Sequence, residues 1–130
     1  HGLIKQMWEL TGAEVVDMGV HHHDAVLAAT SHLPHLLAYT LVDTLARLDD
    51  RAEIFRYAAG GFRYFTRIAS SDPTMWRDIC AANREQLLEI IALFNTDLAQ
   101  LTEAIRNNDD AAILTTFQRA KRARDNLYLE

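Results

Sequence analysis

The strongest constraint on the fold is a largely apolar row of side chains that recurs at helical spacing in the second half of the chain. The row is Trp76, Cys80, Asn83, Leu87, Ile90, Phe94, Leu98, Leu101 and Ile105, at intervals of 4, 3, 4, 3, 4, 4, 3 and 4 residues. Such intervals place side chains on one face of an α-helix. With Asp72 as N-cap and Pro73 at the first helical position, the row predicts one helix of about 33 residues.

This predicted helix is too long for one copy of the chain to cover. At 1.5 Å per residue it measures about 50 Å, which exceeds the width of a compact domain of 130 residues. Much of its apolar face therefore needs a partner, and a second copy of the same chain is the simplest one. We predict an all-α helical bundle that forms an intertwined homodimer.

A second helix, predicted from about His22 to Leu48, carries a proline in its interior. Pro34 removes one backbone hydrogen bond, at a cost of roughly 3 kcal/mol, and it lies in the run Ser31-His32-Leu33-Pro34-His35. His32 and His35 share a face of a continuous helix, although a bend at the proline would re-aim them. A hydroxyl and two imidazoles on a proline-bent apolar helix indicate the wall of a polar pocket.

The other segments are predicted to be short. Leu3–Leu10 has the pattern of an amphipathic helix, and Val15–Val16 that of a brief strand or an extended connector. Another short helix is expected to close at Gly60–Gly61, and Phe62–Ala69 to form the next one. The chain does not begin with Met, and we expect it to be a piece of a longer protein.

Composition narrows the class of protein. The chain has 130 residues, of which 49% are hydrophobic and 24% charged, as is typical of one soluble domain. Its net charge of −5 argues against a nucleic-acid partner, which requires concentrated positive charge. Cys80 is the only cysteine, so no internal disulfide is possible. We find no apolar run of roughly 20 residues and therefore expect no membrane span.

The histidines are the first candidates for chemistry. His21, His22 and His23 precede Asp24, and His32 and His35 follow. Imidazole and carboxylate suit zinc or iron. Three consecutive histidines on a helix point about 100° apart, however, so at most one or two could converge with the later pair. Substrate contact is favoured over a structural role and over a metal site, and we expect no metal.

The second candidate is the stretch from Gly60 to Ala69. Paired glycines permit the close approach of a backbone or a ligand. The planar fork of Arg67 suits a carboxylate, which is either that of a substrate or that of Asp24 in an internal ion pair. The chain contains no Gly-x-Gly-x-x-Gly, so it lacks a dinucleotide-binding turn of its own.

The ordered set of motifs resembles the C-terminal domain of the prephenate dehydrogenases, a family that includes the cyclohexadienyl and arogenate dehydrogenases. The motifs are His23-Asp24, Ser31-His32-Leu33-Pro34-His35, Gly60-Gly61-Phe62, Thr66-Arg67-Ile68-Ala69, Asp72-Pro73 and Met75-Trp76-Arg77-Asp78-Ile79. The resemblance implies that residues 1–130 are the dimerisation and substrate-binding domain of a longer enzyme, with residues 1–20 as the junction. The N-terminal Rossmann domain, which binds NAD or NADP, is then absent from this chain.

Enzymes of this family oxidatively decarboxylate prephenate to 4-hydroxyphenylpyruvate, or arogenate to tyrosine, in tyrosine biosynthesis. The resemblance implies that Arg67 binds the ring carboxylate of the substrate. His35 contacts the pyruvyl side chain and takes part in feedback inhibition by tyrosine, and Ser31 lines the pocket. The family often has an acidic residue at the position of Tyr64. A cytoplasmic location follows from the pathway and from the lone cysteine.

The resemblance assigns further roles around the pocket. Gly60 reaches the site of the neighbouring subunit, and Trp76 shapes the pocket. His23 and Asp24 belong to its polar network, while His32 packs or orients the bend. The general-base histidine lies in the Rossmann half, so no catalytic residue is expected in this chain. The alternative is a non-catalytic helical module that senses an aromatic acid or mediates an interaction through the same pocket.

Overall fold

The computed structural model describes residues 19–127, and the structural statements below concern that part of the chain. Its elements are α1 (Val20–Leu27), a π-helical segment (Ala28–His32), α2 (Leu33–Ala46), α3 (Arg51–Arg56), α4 (Gly60–Thr66), a 3-10 segment (Arg67–Ser70), α5 (Pro73–Ala82), α6 (Arg84–Arg106) and α7 (Asp110–Asn126). The all-α fold class is confirmed. The predicted helix Leu3–Leu10 and strand Val15–Val16 lie outside the described residues, as does nearly all of the junction 1–20.

The chain divides into two compact units, with the boundary between Ile90 and Ile91 inside α6. The first unit contains α1 to α5 and the first residues of α6. The second contains the rest of α6 together with α7. All of the polar contacts that define the candidate site below lie within the first unit.

The helical run through Pro34 is irregular in the turn that precedes the proline. Because Pro34 has no backbone N–H, the ordinary bond to residue 30 cannot form. The π-helical segment Ala28–His32 directly precedes α2, which begins at Leu33 with the proline at its second position. Wider π turns of this kind are frequent at functional sites. The predicted irregularity is therefore present as a local widening of the helix.

The run Val20–Ala46 has 27 residues and is long and apolar enough to cross a membrane, judged by length and composition only. Our expectation that no segment meets this criterion was wrong, because a helix interrupted by short polar stretches such as Thr30–His32 still averages as apolar. The core helix of a soluble protein and a signal sequence pass the same test. Length and composition therefore do not decide whether this helix lies in a membrane or in a protein core.

The predicted helix of about 33 residues is divided into α5 and α6. Asn83 lies between them with φ −117° and ψ 39°, outside the helical region. Its N–H still donates to Ile79 O and its carbonyl accepts from Leu87 N–H, both at 3.0 Å. The spacing rule counted Asn83 as part of an apolar face, whereas its side chain makes buried polar contacts. A long helix remains, since α6 has 23 residues and spans about 35 Å.

The predicted start of α5 at Asp72 is confirmed, and a second aspartate caps α7. Asp72 accepts a hydrogen bond from Thr74 N–H at 3.1 Å, with Pro73 as the first residue of α5. Asp109 caps α7 in the same way, through Ala112 N–H at 3.1 Å. Gly60–Gly61 was expected to close a helix, and instead it forms the first turn of α4.

Few large side chains of residues 19–127 are buried within the single chain. The buried hydrophobic residues of the described part are Val26, Ala28, Ala38, Trp76 and Leu87. Several large apolar side chains of the second unit are at least half exposed, namely Leu93, Leu98, Ile105, Leu114 and Phe117. So much exposed apolar surface on α6 and α7 is typical of a face that another protein surface covers.

The hydroxyl of Tyr39 joins α2 to the end of the 3-10 segment by donating to Ser71 O at 2.7 Å. Replacing Tyr39 by Phe should lower the free energy of unfolding by about 0.5–1.5 kcal/mol, because the Ser71 carbonyl loses a partly buried donor. Urea unfolding at one fixed protein concentration measures this change. Tyr57→Phe is the matched control, since Tyr57 is 72% exposed and its change should stay within about 0.5 kcal/mol. Equal effects of the two substitutions would contradict the assigned role.

Candidate functional site

The centre of the candidate site is the indole of Trp76, which α5 places against the proline-containing helix. The Trp76 side chain is only 8% exposed. The ring of His35, from the first turn of α2, stacks on it with centroids 3.7 Å apart and planes 15° apart. Contact at this distance means that the two rings cover one another, so the imidazole and the indole form one packed unit.

His32 meets the same indole from a second direction. Its ring lies edge-on to Trp76, with centroids 5.9 Å apart and planes 79° apart. His32 is the last residue of the π-helical segment, and His35 follows the proline. Both imidazoles therefore reach one indole across the irregular turn.

Asn83 completes this group from the break between α5 and α6. Its side-chain Nδ2 lies 2.8 Å from Asp24 O and 3.2 Å from His32 Nδ1. The residue is 9% exposed and is the buried polar residue of the described part. We call His32, His35, Trp76 and Asn83 the indole cluster.

Sequence reasoning missed Asn83 as a site residue. The available signal was its position as the one amide in an otherwise apolar row. A polar side chain on a buried helix face requires a hydrogen-bonding partner. That requirement identifies the position as unusual, although it does not identify the partner.

The indole cluster also contains an unpaired polar atom. Trp76 Nε1 is buried and has no hydrogen-bond partner among the described residues. A buried donor without an acceptor costs free energy. The cluster therefore holds an unused hydrogen-bond donor at its centre.

One hydrogen bond of His35 shows which ring nitrogen carries the proton. His35 Nδ1 lies 2.9 Å from the backbone carbonyl of Ser31, one turn earlier. A carbonyl oxygen only accepts, so Nδ1 must carry the proton that it donates. In the neutral ring, Nε2 is then an acceptor. Ser31 thus orients a histidine through its backbone.

Burial lowers the pKa of His32 from its ordinary value of 6.5, and the nearby charge of His35 lowers it further. The carboxylate of Asp24 acts in the opposite direction but is the weakest of the three influences. The neutral form of the ring is therefore favoured near pH 7.

Asp24 and His23 lie at the edge of this region. The Asp24 backbone carbonyl is bonded to Asn83, while its carboxylate lies 4.0 Å from His23 Nδ1. The two side chains are 41% and 37% exposed, respectively. Their separation is at the outer limit of an ion pair, and exposed pairs of this kind contribute little stability.

Arg67 is held by Tyr64 and not by a carboxylate. One guanidinium nitrogen, Nη1, donates to Tyr64 O at 2.8 Å, and Cζ lies 4.1 Å from the centroid of the Tyr64 ring. The ion pair with Asp24 that we considered is not present among the described residues. An aromatic face orients a cation without neutralising it. The guanidinium of Arg67 can therefore still pair with an anion.

Gly60 opens α4, and a Cβ built at Gly60 or at Gly61 would meet nothing within 4 Å in the described part of the chain. The space beside the glycines is therefore not filled by any of residues 19–127. No described hydrogen bond, ion pair or ring contact joins Gly60 or Arg67 to the indole cluster. The structure thus gathers Ser31, His32, His35, Asp24 and Trp76. It leaves Gly60 in α4 and Arg67 in the 3-10 segment.

A metal is not supported by the arrangement of the histidines. Within residues 19–127, no group of three or more His, Cys, Asp or Glu side chains is arranged to hold a metal ion. His21 and His22 are exposed at the start of α1.

These features define a helical domain with a polar cluster around a buried tryptophan and with exposed apolar helix faces. A family model described as "Prephenate dehydrogenase, dimerization domain" matches residues 20–119. The chain belongs to this family.

Two curated relatives agree with the family. The chain is 41% identical over 123 residues to the cyclohexadienyl dehydrogenase of Zymomonas mobilis, an alignment that covers 93% of this chain and 42% of the relative. It is 35% identical over 127 residues to the prephenate dehydrogenase of Bacillus subtilis, covering 97% and 34%. The chain thus spans less than half the length of either enzyme.

Solved structures show the same fold. The prephenate dehydrogenase from A. aeolicus, in complex with hydroxyphenyl propionate and NAD+, matches with a TM-score of 0.75 and 35% identity, over 96% of this chain and 44% of that one. The Synechocystis arogenate dehydrogenase matches with a TM-score of 0.77 over 82% and 40%, and its 24% identity supports the fold alone.

The lowered pKa of His32 predicts a pH-dependent stability. Below pH 6.5 the unfolded chain takes up a proton at this residue while the folded chain resists it. The free energy of unfolding should therefore fall as the pH drops from 6.5 toward the lower pKa of the folded state. Denaturant titrations at a series of pH values measure this slope.

His32→Gln should reduce that slope, because an amide does not titrate but can still accept the bond from Asn83. His21→Gln, at an exposed position, is the control and should keep the slope of the parent. An unchanged slope in His32→Gln would show that burial of His32 does not influence stability.

Proposed function

We propose that this chain is the C-terminal domain of an NAD(P)-dependent prephenate or arogenate dehydrogenase, referred to below as the parent enzyme. The proposed reaction is the oxidative decarboxylation of prephenate to 4-hydroxyphenylpyruvate in tyrosine biosynthesis. One observation carries the proposal: in a chain of this family, His32 and His35 pack on the indole of Trp76, and the Ser31 carbonyl orients His35. We assign residues 1–130 to dimerisation and substrate binding.

Arg67 is proposed to bind the ring carboxylate of the substrate. Prephenate is a dianion, so its pocket must supply positive charge and hydrogen-bond donors. The guanidinium is oriented by the carbonyl and the ring of Tyr64, and no carboxylate neutralises it among residues 19–127. Its planar fork can therefore pair with a substrate carboxylate through two hydrogen bonds.

His35, Ser31 and Trp76 are proposed to form the wall that faces the rest of the substrate. His35 is oriented by the Ser31 carbonyl and packed against Trp76, which leaves Nε2 as its available nitrogen. An oriented imidazole suits the polar side chain of prephenate. The same residue is proposed to take part in inhibition by tyrosine, and His23 with Asp24 to extend the polar network at the edge.

The dinucleotide is proposed to bind the N-terminal domain of the parent enzyme. This chain contains no glycine-rich turn that would cradle a pyrophosphate. The nicotinamide supplies the hydride acceptor of the reaction. The general-base histidine is proposed to lie in that same domain, and the residues of this chain bind and orient the substrate.

The exposed apolar faces of α6 and α7 are proposed to form the interface of a homodimer. The buried core of the described residues is small, and three leucines of α6 are 50% to 65% exposed, namely Leu88, Leu93 and Leu98. Open space beside Gly60 and Gly61 is compatible with the approach of the neighbouring subunit. We therefore propose that Gly60 lies near the site of the other copy.

The apolar run Val20–Ala46 is proposed to be a core helix of a cytoplasmic protein and not a membrane span. Two of its histidines contact the Trp76 indole, and its Tyr39 bonds to Ser71. A helix committed to such polar contacts with its own chain is poorly suited to lipid. With a net charge of −5, nucleic acid is not a proposed partner.

Replacing Arg67 by Ala in the parent enzyme should lower kcat/KM for its substrate by at least about tenfold, equivalent to about 1.4 kcal/mol of transition-state binding. The kcat/KM of Arg67→Lys should lie between those of the parent enzyme and Arg67→Ala, because lysine keeps the positive charge but lacks the planar fork. Reduction of NAD and of NADP with prephenate and with arogenate is the assay.

Arg56→Ala is the matched control, since Arg56 also lies over a tyrosine ring, that of Tyr57, at 5.2 Å. This variant should keep a kcat/KM close to that of the parent. Inactivity of the unmodified enzyme with both substrates and both dinucleotides would instead favour the sensing or interaction module.

The chain should be a dimer at micromolar concentration in light scattering. Leu98→Glu should shift it toward the monomer, because a carboxylate replaces an apolar side chain that is 50% exposed in the single chain. Gln100→Glu introduces the same charge in the same turn and should leave the dimer intact. A monomeric parent chain would contradict the proposed interface.

A further inference from the structure

The orientation of the Asn83 side-chain amide follows from its contact with Asp24. Its Nδ2 position lies 2.8 Å from the Asp24 carbonyl oxygen. A carbonyl oxygen only accepts, so the atom facing it must be the NH2 group; the reversed amide would bring two oxygens together. The contact with Asp24 therefore determines the orientation of the amide.

This orientation has a consequence for His32. The same NH2 group lies 3.2 Å from His32 Nδ1, and an amide nitrogen has no lone pair with which to accept a hydrogen bond. Nδ1 must then be the acceptor, so the neutral ring carries its proton on Nε2. His32 thus has the opposite tautomer from His35, whose Nδ1 donates to Ser31.

The backbone supports the same role. Asn83 leaves the helical region at φ −117° and ψ 39°, yet it remains hydrogen-bonded to Ile79 and to Leu87. The break between α5 and α6 therefore occurs at the residue that contacts both α1 and the π-helical segment. Its side chain is 9% exposed, so water does not compete freely for the amide.

We propose that Asn83 is a positioning residue of the site, which holds His32 as the Nε2–H tautomer and so maintains a donor on His32 and an acceptor on His35 around Trp76. Its effect on catalysis rests on the proposed function, whereas its effect on the tautomer rests on geometry alone. The fitting ligand is an oxygen-rich small molecule that both accepts and donates hydrogen bonds.

The first experiment measures the tautomer in the unsubstituted chain. The chain is labelled with ¹⁵N-histidine, and long-range ¹H–¹⁵N spectra are recorded at a pH above 7, with His32→Gln used to assign the His32 signals. We expect the pattern of a neutral ring protonated at Nε2. A ring protonated at Nδ1 would overturn the proposal.

Asn83→Asp tests the cause of the tautomer. An aspartate carboxylate only accepts hydrogen bonds, so the proton of His32 should move to Nδ1, and the negative charge should raise the pKa of the ring. Asn95→Asp, at an exposed position of α6, is the matched control and should leave the His32 spectrum unchanged. Circular dichroism reports whether each variant folds.

A folded Asn83→Asp with an unchanged His32 spectrum would overturn the proposal. If that variant does not fold, Asn83→Ala takes its place, since it removes the donor without adding charge. In Asn83→Ala the preference for Nε2–H should be lost, and a retained preference would overturn the proposal.

In the parent enzyme, Asn83→Asp should lower the plateau of kcat/KM by about tenfold and move its acidic limb to higher pH. A merely structural role would lower activity equally at every pH, which would refute the positioning role. Complete inactivity of the unmodified enzyme would refute the proposed function and leave the spectroscopic result standing.

Discussion

The buried indole of Trp76 is the contact on which the arrangement of the site depends. It is stacked on one imidazole and touched at the edge by another, and aromatic pairs of this kind contribute about 0.5–1.5 kcal/mol each beyond their burial. These contacts join α5 to the π-helical segment and to α2, both of which are distant from α5 in sequence. Asn83 adds α1 to the same centre through the Asp24 carbonyl.

Local signals in the sequence were sufficient for much of the fold. Helical spacing predicted the all-α class, and Asp72 with Pro73 predicted the start of α5 correctly because capping depends on neighbouring residues alone. The same spacing rule failed at Asn83, since it registers position and not the chemistry of the partner. Gly60–Gly61 was misplaced for a related reason: glycine permits several conformations, and the surrounding chain decides among them.

Three residues of the indole cluster, His32, His35 and Trp76, could be named from the sequence, but neither Asn83 nor the contacts among them could. The motif around Pro34 identified His32 and His35, whereas their shared contact with Trp76 is a tertiary feature without a local signature. Arg67 illustrates the limit most clearly. A carboxylate was the expected partner on grounds of charge, but Tyr64, three residues earlier, offers both a carbonyl and a ring within reach of the same turn.

The π-helical segment Ala28–His32 makes the length of this helix as important as its composition. Each added or removed residue rotates everything beyond it by about 100° around the helix axis. An insertion or deletion between His32 and His35 would therefore turn one of the two imidazoles away from the indole. Relatives that retain this site are expected to vary there by substitution, and to place insertions and deletions in the loops on either side.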